Sequence, residues 1–180
     1  MLARYFEEEF QYRNTAASIA LKVGRPVPSM ASATRYAGPG IDVATLLSDE
    51  AIAPGHRFPV VLDVTPQSGG RVVAPGPHRY RPVALRLEPQ AHLRVYPMNP
   101  PPGAEATVAR TERLSAYSQS FRLVQDVAIV VNMETRQLAQ KPGATFTIRG
   151  TLEYQVCTDT SCGEPLQVPI SSTVRLIPLG

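Results

Sequence analysis

The chain has no tryptophan, only two cysteines and only three histidines, and charged residues make up 18% of its 180 positions. Each scarcity removes a class of function. His56, His78 and His92 lie far apart and well upstream of the cysteines. A zinc site, which ordinarily draws on four closely spaced ligands, is therefore not encoded. Lysine and arginine outnumber acids by three, but they are dispersed and form no basic run with interleaved aromatics, which argues against nucleic-acid binding. The longest apolar run, Val127 to Val131, is strand-sized and far short of the roughly 20 residues of a membrane helix. A secreted scaffold stapled by disulfides would be smaller and richer in cysteine. The start does not read as a signal peptide, because Glu7, Glu8 and Glu9 stand where an apolar core would be. The expectation is a cytosolic chain or one that lacks its true start.

Proline and glycine, in contrast, are abundant at 18 and 12 residues and scattered among Val, Thr and Leu. That texture belongs to an all-β domain with frequent turns. Residues 1–24 are read as an amphipathic helix from Leu2 to about Val23. Leu2, Phe6 and Phe10 recur at helical spacing, with a soft spot at Asn14-Thr15 and a stop at Gly24 and Pro26. Such a stripe must be buried, either on the β domain or as the last helix of a preceding domain. Residues 25–55 are read as a linker, with Ile41 to Leu47 as a short strand or helical turn within it.

Residues 56–180 carry the strand signals. Phe58, Val60, Leu62 and Val64 alternate, as do Val83, Leu85 and Leu87. Leu93 and Val95 mark another strand. Phe121 to Leu123 and Val127 to Val131 are two strands or one long one. Phe146, Ile148, Leu152 and Tyr154 form a long strand that delivers Cys157, and Val168, Ile170, Val174 and Leu176 close the set. Roughly seven to nine short strands with turns between them imply an immunoglobulin-like antiparallel β-sandwich with an N-terminal helix and linker. A closed barrel is the competing architecture.

The two cysteines, Cys157 and Cys162, are separated by four residues. A disulfide across this loop requires Cα atoms about 4.4–6.8 Å apart. Three readings compete: a structural bond, a metal site and a reversible redox pair. A structural bond closing so short a loop contributes about 2 kcal/mol, which a domain of this size does not depend on. A redox pair gains from a short, exposed loop. Against it stand the absence of Cys-x-x-Cys spacing and the acidic Asp159 and Glu164, which disfavour a thiolate. Spacing alone leaves the structural and redox readings open.

The context Tyr154-Gln155-Val156-Cys157, four residues, Cys162 and then Pro165 resembles the amino-terminal periplasmic domain of the thiol:disulfide interchange protein DsbD. The resemblance is fainter over Val60 to Gly76 and over Arg113 to Phe121, and it covers roughly residues 55–177. It implies an immunoglobulin-like fold, a periplasmic setting and no cofactor. It also implies exchange with a thioredoxin-fold protein or domain, as a component of a protein-disulfide reductase. In that role Cys162 forms the intermolecular bond and Cys157 resolves it. The resemblance further implies a cap over the disulfide, for which Tyr117 is the candidate. Tyr154 and Gln155 are packing and loop-shaping residues.

Several positions depart from the family pattern. Gly163-Glu164 stands where an aromatic and prolines are common, Ala116 precedes Tyr117 where an aromatic pair is common, and Arg71 and Val73 occupy an aromatic loop. The N-terminal helix resembles one that trails peroxiredoxin- or thioredoxin-like domains fused to this β module. The alternative function is a non-catalytic accessory sandwich with a structural disulfide.

Overall fold

In the computed structural model, residues 13–14, 31–47, 49 and 51–179 are described. The first strands are β1 (Arg13–Asn14), β2 (Ala31–Gly38), β3 (Ile41–Leu47), β4 (Ala51–Ile52), β5 (His56–Pro66) and β6 (Arg71–Val73). Then come β7 (Ala84–Leu87), β8 (Leu93–Val95), β9 (Ala104–Val108), β10 (Glu112–Tyr117) and β11 (Phe121–Ile129). After the short helix α1 (Met133–Ala139), the chain ends with β12 (Thr145–Tyr154), β13 (Val156–Cys157) and β14 (Leu166–Leu176).

The alternating stretch around Phe58 becomes the centre of the largest sheet, whose order is β2-β3-β5-β11-β8, with β1 pairing alongside β5. A second sheet has the order β4-β14-β12-β7 and a third β13-β6-β10-β9. The long pairs β5–β11, β3–β5 and β12–β14 are antiparallel. Phe58, Val60, Leu62 and Val64 on β5 meet Ile148, Leu152 and Tyr154 of β12 and Val168, Ile170, Val174 and Leu176 of β14 in one buried cluster. The alternation in the sequence exists because successive side chains of a strand point to opposite faces. Each such aliphatic side chain, fully buried, contributes about 1.5–3 kcal/mol. The result is the expected all-β, immunoglobulin-like sandwich.

The N-terminal region differs from its sequence reading. At Arg13–Asn14 the chain is extended and pairs in parallel with His56 and Arg57, so no single helix runs from Leu2 to Val23. The soft spot read at Asn14-Thr15 is where the extended pair sits, and the rest of the proposed helix lies outside the described residues. Within the stretch read as a linker, residues 31–47 form a hairpin built into the main sheet through β3–β5 pairing. Its turn is Pro39-Gly40, with Gly40 at φ 78°. Proline presets the first turn position and glycine supplies the left-handed second one. Proline and glycine here punctuate two strands rather than prevent them.

Two further elements are absent from the sequence reading. The polar stretch 104–117 is the hairpin β9–β10. Helix α1 is capped by Asn132, whose side chain accepts from the Thr135 amide while the Thr135 hydroxyl accepts from the Asn132 amide. Lys141 to Gly143 form the turn between α1 and β12.

Candidate functional site

The strand that delivers the first cysteine is held from both ends. Tyr154, fully buried at the end of β12, donates its hydroxyl to the Pro39 carbonyl at 3.2 Å. The turn of the β2–β3 hairpin thus rests on the cysteine strand, and a side chain at Gly40 would meet Val156 at 3.0 Å. Gln155 is buried and bonded at both ends of its amide. Its Oε1 accepts from the Arg81 amide at 2.7 Å, and its Nε2 donates to the Gly163 carbonyl at 2.7 Å. Both side chains are thus engaged in packing and in hydrogen bonds to neighbouring loops.

Cys157 and Cys162 form a disulfide with Cα atoms 3.9 Å apart, closer than the expected range of about 4.4–6.8 Å. They face each other directly across a small antiparallel hairpin. On either side of the pair, Gly163 N donates to Val156 O at 2.9 Å and Thr158 N to Ser161 O at 2.7 Å. That pattern makes the cysteines a non-hydrogen-bonded pair, the position at which opposing strands approach most closely. Close approach brings the two sulfurs within bonding reach with only four residues between them. The Thr158 hydroxyl organises the loop by accepting from the amides of Thr160 and Ser161.

The loop is gripped from outside by the β9–β10 turn. Ala109 N donates to Thr158 O at 3.1 Å and Arg110 N to Asp159 O at 2.6 Å. Both residues hold positive φ, 46° and 72°, which side-chain-bearing residues adopt at a cost. The two left-handed residues aim consecutive amides at the cysteine loop.

The two sulfurs differ in access. Cys157 is completely buried, whereas Cys162 is half-buried. Cys157 shares a small apolar cluster with Val73, Val108, Leu114 and Ala116, against which Tyr80, Ala106, Ala109 and Cys162 pack. The neighbouring strand contributes a cation to the cysteine loop. Arg71 is the cross-strand partner of Cys157, and its Nη1 is 2.7 Å from Asp159 Oδ1, an ion pair without the alignment of a hydrogen bond. Arg71 is 86 positions away from Cys157 in the chain and adjacent only through the β6–β13 pairing, so no local pattern in the sequence shows it.

Tyr117 does not sit over the disulfide. Tyr117 and Val156 both pair with Val72, while Ala116 pairs with Val73. Alternation places Tyr117, Val72 and Val156 on one face of the sheet and Ala116, Val73 and Cys157 on the other. The Tyr117 ring instead stacks on Phe121, with centroids 3.8 Å apart, and its hydroxyl donates to Pro101 O. Burial raises its pKa above the usual 10, as it does for Tyr154. The aromatic residue on the cysteine face is Tyr80, in the proline-rich segment 74–82. A groove of about 550 Å³ opens beside it, lined by Arg79, Tyr80, Arg81, Pro82, Gln155 and Pro165. Among the described residues, no group of three or more His, Cys, Asp or Glu side chains gathers in a metal-binding arrangement.

No family model matches the sequence, and no curated protein matches it. Solved structures do. The amino-terminal domain of DsbD from Neisseria meningitidis, in its reduced form, aligns with 63% of this chain and 78% of its own at 13% identity, with a TM-score of 0.43. The N-terminal periplasmic domain of ScsB from Proteus mirabilis aligns with 82% of this chain at 14% identity, with a TM-score of 0.53. That alignment spans about half of the ScsB chain, 52%. At such identities the likeness concerns the fold. The described chain therefore has a fold similar to that of the ScsB N-terminal periplasmic domain, with a cysteine hairpin at the edge of its third sheet.

Proposed function

We propose that the chain is a thiol-disulfide exchange module whose reactive pair is Cys157 and Cys162 and whose partner is a thioredoxin-fold protein or domain. The observation that carries this reading is the difference in exposure between the two cysteines: Cys162 is half-buried at a loop, and Cys157 is fully buried. Exchange proceeds by attack of a thiolate on a disulfide sulfur, so the sulfur within reach of a partner is the one that forms the mixed bond.

Starting from the reduced pair, the Cys162 thiolate attacks one sulfur of a partner disulfide and expels the other as a thiolate. Cys157, deprotonated, then attacks Cys162 Sγ and expels the partner's remaining sulfur. One disulfide forms here, one is lost on the partner, and two electrons have moved. The reverse direction uses the same steps backward. Arg71, the cross-strand partner of Cys157, carries the cation nearest to the loop in the strand register. The acidic Asp159, which counts against a thiolate in the sequence, is paired with that arginine.

The shielding role read for Tyr117 belongs in this proposal to Tyr80, which packs on the cysteine cluster. The module takes in the hairpin 31–47 as well as residues 56–180, because that hairpin supports the cysteine strand. The periplasmic setting of the ScsB domain supports an extracytoplasmic location.

Trapping tests the role assignment. Cys157→Ser should accumulate a mixed disulfide with a thioredoxin-fold partner through Cys162, and Cys162→Ser should not. The reverse result inverts the roles. A reduction potential well below about −300 mV would mark a stable structural bond and remove the exchange reading altogether.

A further inference from the structure

Segment 74–82 leaves β6 and returns to it, Val83 N donating to Val73 O at 2.9 Å. Between these points it carries Tyr80 onto the cysteine cluster. Pro75, Pro77 and Pro82 fall within it, and proline has a carbonyl acceptor but no amide donor. The segment is therefore richer in acceptors than in donors. At its centre lies His78, half-buried, with both ring nitrogens on backbone carbonyl oxygens. Nε2 is 2.7 Å from Ala74 O and Nδ1 is 3.2 Å from Tyr80 O.

A carbonyl oxygen only accepts. A neutral imidazole has one N–H, so it can satisfy one of these oxygens and must turn a lone pair toward the other. A ring protonated at both nitrogens satisfies both. We propose that His78 is the residue that positions the shield: as an imidazolium it ties Ala74 at the start of the segment to Tyr80, and loss of one proton releases a tie and uncovers the disulfide. The proposal rests on reading the cysteine pair as the exchange centre and Tyr80 as its shield.

The other groups around the ring leave this assignment intact. Glu105 and Arg113 line a cavity of about 350 Å³ with His78, Pro77, Leu114 and Ser115, and they pair with each other at 3.1 Å. Arg79 pairs with Glu112 on β10 and donates to the Tyr80 hydroxyl at 3.1 Å. The Tyr80 ring lies 6.5 Å from the imidazole at a tilt of 45°. The one carboxylate lining the cavity thus has its own cation, and the two carbonyls are the partners left to the ring. Closure is complete at acid pH and weakens as pH rises. Exchange at this site thereby becomes sensitive to pH through a residue that touches neither sulfur partner.

The test uses the oxidised chain and a small thiol, with no protein partner. Ring nitrogen NMR signals of His78 and the rate of disulfide reduction by dithiothreitol, expressed per thiolate, are followed between about pH 5 and 8. At the acid end both ring nitrogens should carry hydrogen. The per-thiolate rate should rise about fivefold across the range, the weight of one hydrogen bond. His78→Ala should react fast with a flat profile. His78→Gln, which keeps a donor near Nε2, should also be flat but slower than His78→Ala. A ring with one bare nitrogen throughout, a flat wild-type profile or an unchanged slope in His78→Ala would each overturn the proposal. Failure of the cysteine mutants to trap a thioredoxin-fold partner is a separate result, and it would count against the exchange reading instead.

Discussion

The larger apolar cluster joins the two main sheets, from Ile41 to Leu176, whereas the smaller gathers Val73, Val108, Leu114, Ala116 and Cys157 on the outer face of the third sheet. The first is built of long aliphatic and aromatic side chains on long strands. The second is built of small side chains on short ones, and one of its members is half of a disulfide. Stability scales with apolar area removed from water, so the first cluster holds the fold. The second seals one sulfur while leaving the other within reach. The two faces of β6 and β10 meet different clusters, which lets the cysteine pair sit on a rigid support without interrupting the core.

Substitutions that separate the two clusters put this division at risk. The largest effect is expected from Leu152→Ala in the main cluster. It should cost about 2–5 kcal/mol in denaturant unfolding and leave the reduction rate of the folded disulfide unchanged. Leu114→Ala in the smaller cluster should fall toward the low end of that range, because an edge cluster of small side chains can collapse around the gap. It should, however, speed reduction by dithiothreitol. If both variants change stability and reduction rate in the same proportion, the clusters are one unit.

Breaking the disulfide itself is expected to cost less, about 2 kcal/mol for so short a loop. Comparing the unfolding midpoint of the wild type with that of a Cys157→Ala, Cys162→Ala double variant measures it. A loss as large as that of Leu152→Ala would mean that the pair is a staple.

The smallest change is Tyr154→Phe, which removes the bond to Pro39 O and should cost about 1 kcal/mol at neutral pH. Its alkaline behaviour sharpens the comparison. Burial raises the Tyr154 and Tyr117 phenols in the folded state. Their contribution is fully present below about pH 10, where the unfolded chain begins to ionise, and is lost as pH rises through the raised values. Tyr154→Phe should therefore lose less stability than the wild type between neutral pH and pH above about 10. A parallel loss would show that the phenol is not buried in solution.

The main sandwich was legible where burial is one-sided and strands are long. Val83 to Leu87, Phe146 to Tyr154 and Val168 to Leu176 alternate because one face meets the core, whereas Phe58 to Leu62, in the central strand, is buried on both faces. Val95 lies at a strand position but is exposed, since β8 is a short edge strand. The β9–β10 hairpin was hidden because one face carries Glu105 and Arg113 and the other is mostly alanine, at 104, 106 and 116, leaving little apolar contrast between them. The β2–β3 hairpin was hidden because Pro39-Gly40 marks a turn and a linker alike. Helix α1, at seven residues, is too short to show a period.

The candidate site divides in the same way. The cysteine pair and its Tyr-Gln context are local, and four intervening residues suffice for a hairpin that sets the two cysteines opposite each other. Which sulfur is sealed, which aromatic lies beside it and which cation faces it are matters of register. Tyr117 and Tyr80 are both tyrosines upstream of the cysteines, and only the pairing of Val72 with Tyr117 and Val156 sends one into the core and leaves the other on the cysteine face. A one-residue change of register exchanges the faces. The chain thus encoded the redox-capable pair and the alternating strands through neighbours close in sequence. The environment of the pair, from Arg71 to Tyr80 and His78, was decided by strand pairing across large sequence separations, which no local pattern records.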